Sequence, residues 1–209
     1  QIDASQGTGA SSITSAYINI DGMTFKSDYD MHLGIFNFAK QVIFTRVKFD
    51  GPKSADGDIN TVGTNKACVI FNSPTDGGSY NVQFNNCEFA NHSYGAKING
   101  TVRNIKFNNC YFYHMYQGLI IGESDTGTAT PRGISITASL FDKIYGTAIL
   151  GYETQALVSS FNSFSDVGNG LVGESTSSPV QPVIEFGSSG NTSFADYFSR
   201  TDTADIAYP

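Results

Sequence analysis

At 209 residues the chain can bury a sizeable core in one domain, and 40% hydrophobic and 13% aromatic content excludes a disordered polymer. Only 15% of residues are charged, so the surface must be largely neutral and polar, and 19 acidic against 12 basic residues leave a net charge of −7. That balance disfavours a phosphate backbone or an anionic leaflet, and no stretch nears the roughly 20 apolar residues that cross a bilayer; neither nucleic acid nor membrane insertion is expected.

The chain starts at Gln1 without a basic and apolar leader pattern, which predicts a processed product or a piece of a longer protein. Residues 1–16 read as an N-terminal lead-in or cap. An eight-residue pattern then recurs at 18–25 (INIDGMTF), 42–49 (VIFTRVKF), 82–89 (VQFNNCEF) and 105–112 (IKFNNCYF), with looser copies at 134–141 (ISITASLF) and 157–164 (LVSSFNSF). The first positions lie 24, 40, 23, 29 and 23 residues apart, and such a period marks a solenoid.

Each copy reads apolar, variable, apolar, two turn residues, small or apolar, variable, Phe. Residues two apart on a strand face the same way, so the pattern predicts two short strands joined by a two-residue bend. Four inward columns follow. The first is Ile18, Val42, Val82, Ile105, Ile134 and Leu157; the second is Ile20, Phe44, Phe84, Phe107, Ile136 and Ser159. The third is Met23, Val47, Cys87, Cys110, Ser139 and Asn162, and the fourth is Phe25, Phe49, Phe89, Phe112, Phe141 and Phe164. Bends at Asp21-Gly22, Asn85-Asn86 and Asn108-Asn109 carry residue types that tolerate left-handed backbone angles, and an internal asparagine ladder is expected there.

A third strand per coil is expected at 34–36, 68–71, 95–98, 118–121, 147–150 and 170–172. The fold class is therefore all-β: a right-handed single-stranded parallel β-helix of about six to seven coils over residues 17–186. An antiparallel sandwich would need neither the 23-residue period nor the phenylalanine column. Residues 187–209 leave the repeat, and Phe194, Tyr197 and Phe198 suit a C-terminal cap or an oligomerisation tail. Cys68, Cys87 and Cys110 are an odd count with no short spacing and read as small core residues.

Function in a solenoid sits in its turns. Long turns at 72–81, 122–133 and 173–182 alternate along one edge with short ones at 99–104 and 151–156. Three turns begin alike, which places Glu123, Glu153 and Glu174 at successive coils, with Glu153 on the floor of a notch. Paired carboxylates several ångströms apart are what glycosidases use, so these three are the candidate catalytic residues, one as general acid and another as base or nucleophile. Tyr152 offers a ring face, while Asp125 and Arg132 can bond sugar hydroxyls or an acidic sugar; these are the candidate substrate-binding residues. The competing reading is that glutamate is a soluble turn residue recurring with the coil. Tyr111, Tyr113 and Tyr116 lie on another outward face, where they can stack on sugars or only pack. His114 falls beside Lys143 and Asp166 of the next coils. No His-rich metal spacing, phosphate loop or dinucleotide fingerprint is present, so neither a metal nor a cofactor is expected.

The phenylalanine column, the Asn-Asn bends and the loops along one edge resemble the pectate-lyase-like right-handed β-helix superfamily. In low charge and lack of Trp the chain is most similar to bacteriophage tailspike shafts. The resemblance covers roughly residues 17–186. It implies a carbohydrate-engaging module of a tailspike or similar appendage at the virion surface or outside the cell, assembled as a homotrimer and directed at a cell-surface polysaccharide. The alternatives it leaves open are a polysaccharide-degrading hydrolase or lyase and a noncatalytic structural shaft. A pectate lyase's calcium-binding aspartate cluster and catalytic Arg or Lys are not identifiable, which puts that activity in doubt.

Overall fold

The computed structural model describes residues 2–3, 11–13, 16–26, 34–36, 39–52, 67–73, 78–122, 131–151, 156–167, 184–186 and 192–198. Eighteen strands are present among them, and every pairing between strands is parallel. The chain is a right-handed parallel β-helix in which each coil contributes one rung to each of three sheets.

The first sheet runs through β3 (Ala16–Asp21), β6 (Lys40–Thr45), β9 (Tyr80–Asn85), β11 (Arg103–Asn108), β13 (Ser135–Thr137) and the start of β16 (Leu157–Val167). After the two-residue bend, the second sheet takes β4 (Thr24–Lys26), β7 (Lys48–Asp50), the first part of β10 (Glu88–Gly100), the first part of β12 (Tyr111–Ile121), β14 (Leu140–Ile144) and the end of β16. The third sheet holds β5 (Gly34–Phe36), β8 (Ala67–Ser73), the later parts of β10 and β12, and β15 (Ile149–Gly151). The 40-residue interval is a single coil, because β6 pairs directly with β9; the extra length falls in 53–66 and 74–77, outside the described residues.

The phenylalanine column forms as the repeat dictates. Phe25, Phe49, Phe89, Phe112, Phe141 and Phe164 are in register and their rings stack with centroids 5.1, 5.1, 4.6, 4.7 and 5.2 Å apart. A second stack, Phe44, Phe84 and Phe107, runs beside it with 4.9 Å steps, and the two meet edge to face. Offset stacks along one axis and edge contacts across it satisfy the ring quadrupoles in both directions. Toward the C-terminal end the third column turns polar: buried Asn162 accepts a hydrogen bond from Ser139 N and donates to Ile136 O and Ser159 Oγ, so no polar atom of its amide is stranded.

The corners rest on left-handed residues, and they form three columns rather than one. The coil starts use Tyr17, Gln41, Asn81, Asn104, Gly133 and Ala156; the bends use Gly22, Arg46, Asn86, Asn109, Ala138 and Phe161. The passage from the second to the third sheet uses Asn91, His114, Lys143 and Asp166, the column that places His114 beside Lys143. One left-handed residue reverses the pleat and redirects the chain, which is why β10 and β12 turn a corner without leaving strand conformation. The asparagine ladder corrects the sequence expectation: Asn109 Nδ2 donates to Asn86 Oδ1 at 2.6 Å on the solvent side, and Asn104 bonds Asn81 likewise at 3.1 Å. The ladder is external because a left-handed residue at a convex corner aims its side chain away from the core.

At the ends, β1 (Ile2–Asp3) pairs with β4 and β2 (Ser11–Ile13) with β5, so the ladder begins before residue 17. It also continues past residue 186, since β18 (Thr192–Phe198) pairs with β16 and sets Phe198 opposite Phe164. The place beside β15 is taken by β17 (Ile184–Phe186), whereas 170–172, expected there, lie outside the described residues. The three cysteines are buried and unbridged, as small core residues.

Candidate functional site

Of the residues singled out for the edge notch, Glu123, Asp125, Tyr152, Glu153 and Glu174 lie outside the described residues. The strands feeding two of those turns are in register, with Ile121 opposite Gly151. Arg132 is described. Its side chain is exposed, and its backbone bridges two coils, N to Val102 O at 3.0 Å and O from Asn104 N at 2.9 Å.

The described site lies on the outward face of the second sheet. Strand alternation turns the residues flanking each phenylalanine away from that column, so two outward columns form, in which Ala90 alone among the described residues is fully buried. One carries Lys48, Glu88, Tyr111 and Leu140; the other carries Asp50, Ala90, Tyr113 and Asp142. Four coils at about 4.8 Å per step give a flat face about 14 Å long. Its centre is the pair Tyr111 and Tyr113, two apart on β12, with ring centroids 4.7 Å apart and planes inclined by 23°.

Polar partners fix both rings. Tyr111 OH donates to Asp142 Oδ2 at 3.1 Å, while Lys48 Nζ donates to Tyr113 OH at 3.1 Å and to Glu88 Oε1 at 2.7 Å. Lys48 also lies 5.6 Å from the Tyr113 ring centre, within cation–π range. Burial, which disfavours any charge, and the neighbouring Asp142, which disfavours a second negative one, push the Tyr111 phenol up to about 12. Burial raises Tyr113 as well, against the pull of Lys48. For Lys48, burial favours the neutral amine, but Glu88, Tyr113 and Asp50 outweigh it and hold the ammonium above its ordinary range.

The corner beside this face continues the polar network. Asn91 Nδ2 donates to Asp50 Oδ1 at 2.7 Å and Asn91 Oδ1 lies 2.9 Å from His114 Nδ1, with Tyr145 edge-on to the imidazole at 6.1 Å. The face thus offers pre-positioned rings flanked by acceptors and donors on a rigid ladder. Sequence reasoning named the tyrosines but missed Lys48, Glu88, Asp50 and Asp142. The signal was present, since all four occupy the variable positions flanking the Phe column.

No family model matches the sequence, and no curated protein matches it. Among solved structures, the chain is similar to PfbA, a surface adhesin of Streptococcus pneumoniae, with a TM-score of 0.56 and 18% sequence identity. The likeness covers 74% of this chain and 42% of the adhesin, so the chain spans less than half that protein's length. At that identity the similarity shows the shared β-helix fold.

Proposed function

We propose that the chain is a carbohydrate-engaging β-helix module of an extracellular or virion-surface appendage, and that the outward face around Tyr111 and Tyr113 takes part in binding. The observation that carries this reading is the tyrosine pair itself, half-buried and held from both sides by Asp142 and by Lys48 with Glu88. Sugars present apolar C–H faces ringed by hydroxyls, which suits rings bordered by carboxylates and an ammonium. A flat rigid face loses little side-chain entropy on binding. A fold neighbour that is a surface adhesin supports the same class. The finer form of the reading is a bacteriophage tailspike acting as a homotrimer, in which three weak faces engage a cell-surface polysaccharide by avidity. The edge notch around Glu153 is the proposed location of any hydrolytic activity.

A glycan array followed by a reducing-end assay on each hit tests the reading. Binding without release of new reducing ends is expected; release would move the chain to the enzyme class, and silence on the array would leave an inert shaft.

A further inference from the structure

The third inward column places two cysteines on consecutive coils. Tyr111 N donates to Cys87 O at 2.9 Å and Glu88 pairs with Tyr111, which sets Cys87 directly opposite Cys110. Both follow an Asn-Asn bend, both point into the core, and each is only 2% exposed. In-register parallel strands hold paired Cα atoms about 4.8 Å apart, inside the roughly 4.4–6.8 Å that a disulfide spans. Cys87 Sγ lies 3.6 Å from Phe44 O and 3.5 Å from Asn85 O, and Cys110 Sγ lies 3.3 Å from Phe84 O and 3.6 Å from Asn108 O, so the two thiols occupy equivalent places on successive coils. Cys68 is set apart in the third sheet, its Sγ near Phe49 O at 3.7 Å and Ala90 O at 3.8 Å.

We propose that Cys87 and Cys110 form an oxidation site that closes into a disulfide along the solenoid axis when the chain meets a peroxide or a disulfide oxidant. With hydrogen peroxide, the Cys87 sulfur attacks one oxygen and the O–O bond breaks, leaving a sulfenic acid on Cys87 and one water once the thiol proton is transferred. The Cys110 sulfur then attacks the Cys87 sulfur, the S–O bond breaks, and the hydroxyl leaves as a second water with the Cys110 proton. Two thiols lose two electrons and two protons, and one peroxide becomes two waters; with oxidised glutathione, Cys87 displaces one glutathione thiol to form a mixed disulfide and Cys110 displaces the other, so one GSSG becomes two GSH. Cys87 is taken as the first to react because the neighbouring Cys110 thiol draws it below its ordinary value, while burial holds Cys110 well above. The bond ties together the coils that carry Glu88 and Tyr111, at the base of the tyrosine face, and it is independent of what that face binds.

Thiol counting tests this directly. The full chain is treated with hydrogen peroxide, and in a parallel arm is refolded from denaturant in mixed reduced and oxidised glutathione. Each sample is quenched, unfolded, alkylated and weighed, then digested. The three alkylated cysteines of the reduced chain should fall to one, Cys68, with a Cys87–Cys110 linked peptide in the digest. Cys68→Ser should leave no alkylated cysteine after oxidation, and Cys110→Ser should give no link within the chain. Three alkylated cysteines in both arms, a link that includes Cys68, or links only between chains would overturn the proposal.

Discussion

Truncating Phe112 to Ala is the sharpest probe of the repeat. Its ring lies 4.6 Å from Phe89, 4.7 Å from Phe141 and 5.8 Å, edge-on, from Phe107, and it is fully buried. Deleting a buried phenylalanine costs about 3–5 kcal/mol through lost transfer energy and the cavity left behind. Collapse is restricted here, because the backbone on both sides is fixed by parallel ladders and Gly95 already sits against the ring: a Cβ there would come within 2.7 Å of Phe112 Cδ1. Three aromatic pairs vanish at once, each worth about 0.5–1.5 kcal/mol beyond area, so the loss belongs near the upper end of that range. Urea unfolding followed by circular dichroism measures it. Phe161→Ala is the internal control, since Phe161 is 70% exposed with φ of 58° and loses almost nothing on truncation. A Phe112→Ala loss below about 1 kcal/mol, or one matched by Phe161→Ala, would refute a core built on a stacked column.

Further outcomes follow from the same contacts. Gly118→Ala should prevent normal folding, because its Cβ would meet Ala148 O at 2.3 Å and Phe141 ring atoms at 2.9 Å; Gly22→Ala, with nothing within 4 Å, should cost only about 1 kcal/mol for its positive φ, and comparing the two soluble yields and unfolding midpoints checks this. Asn162→Leu should lose about 1–3 kcal/mol in urea unfolding by stranding Ser139 N and Ile136 O, even though it adds apolar volume to the core. Tyr111 keeps its proton up to about 12 in the folded state against an ordinary 10.0, so its contribution to stability is complete below pH 10 and is lost as pH rises toward 12. Asp142→Asn should move the Tyr111 transition in ultraviolet difference titration part of the way back toward 10.0, with burial, Tyr113 and Glu88 retaining the rest; an unmoved transition would exclude Asp142 as a cause.

The sequence made the four inward columns legible because they are a covalent periodicity: six copies in one register leave little freedom in where Phe25 through Phe164 can go. The bends were half legible. Asn and Gly announced the left-handed column at residues such as Asn86 and Gly22, but Arg46, Ala138 and Phe161 hold the same conformation without the composition that signals it. There the ladder imposes the backbone angle on whatever residue arrives, at a cost of about 1–2 kcal/mol that the neighbouring rungs absorb. The external placement of the Asn86 and Asn109 ladder needed the sense of curvature at the corner, which a linear pattern does not carry. The tyrosine face was partly legible, since ring types at 111 and 113 stand out; the successive coils that carry it and its supporting charges are 40, 23 and 29 residues apart along the chain and meet only once those coils are aligned.

The proposed glycan-binding role depends on the tyrosine face more than on any other feature, and a direct comparison on that face is decisive. The intact chain and the Tyr111→Ala/Tyr113→Ala double variant, both shown to be folded by circular dichroism, are applied at equal concentration to a glycan array and each hit is titrated. The account predicts at least one glycan bound by the intact chain, with affinity in the variant weaker by about tenfold or more, which corresponds to about 1.4 kcal/mol or more. Equal binding by the two proteins would contradict the assignment of this face, and no binding by the intact chain to any glycan would contradict carbohydrate recognition itself.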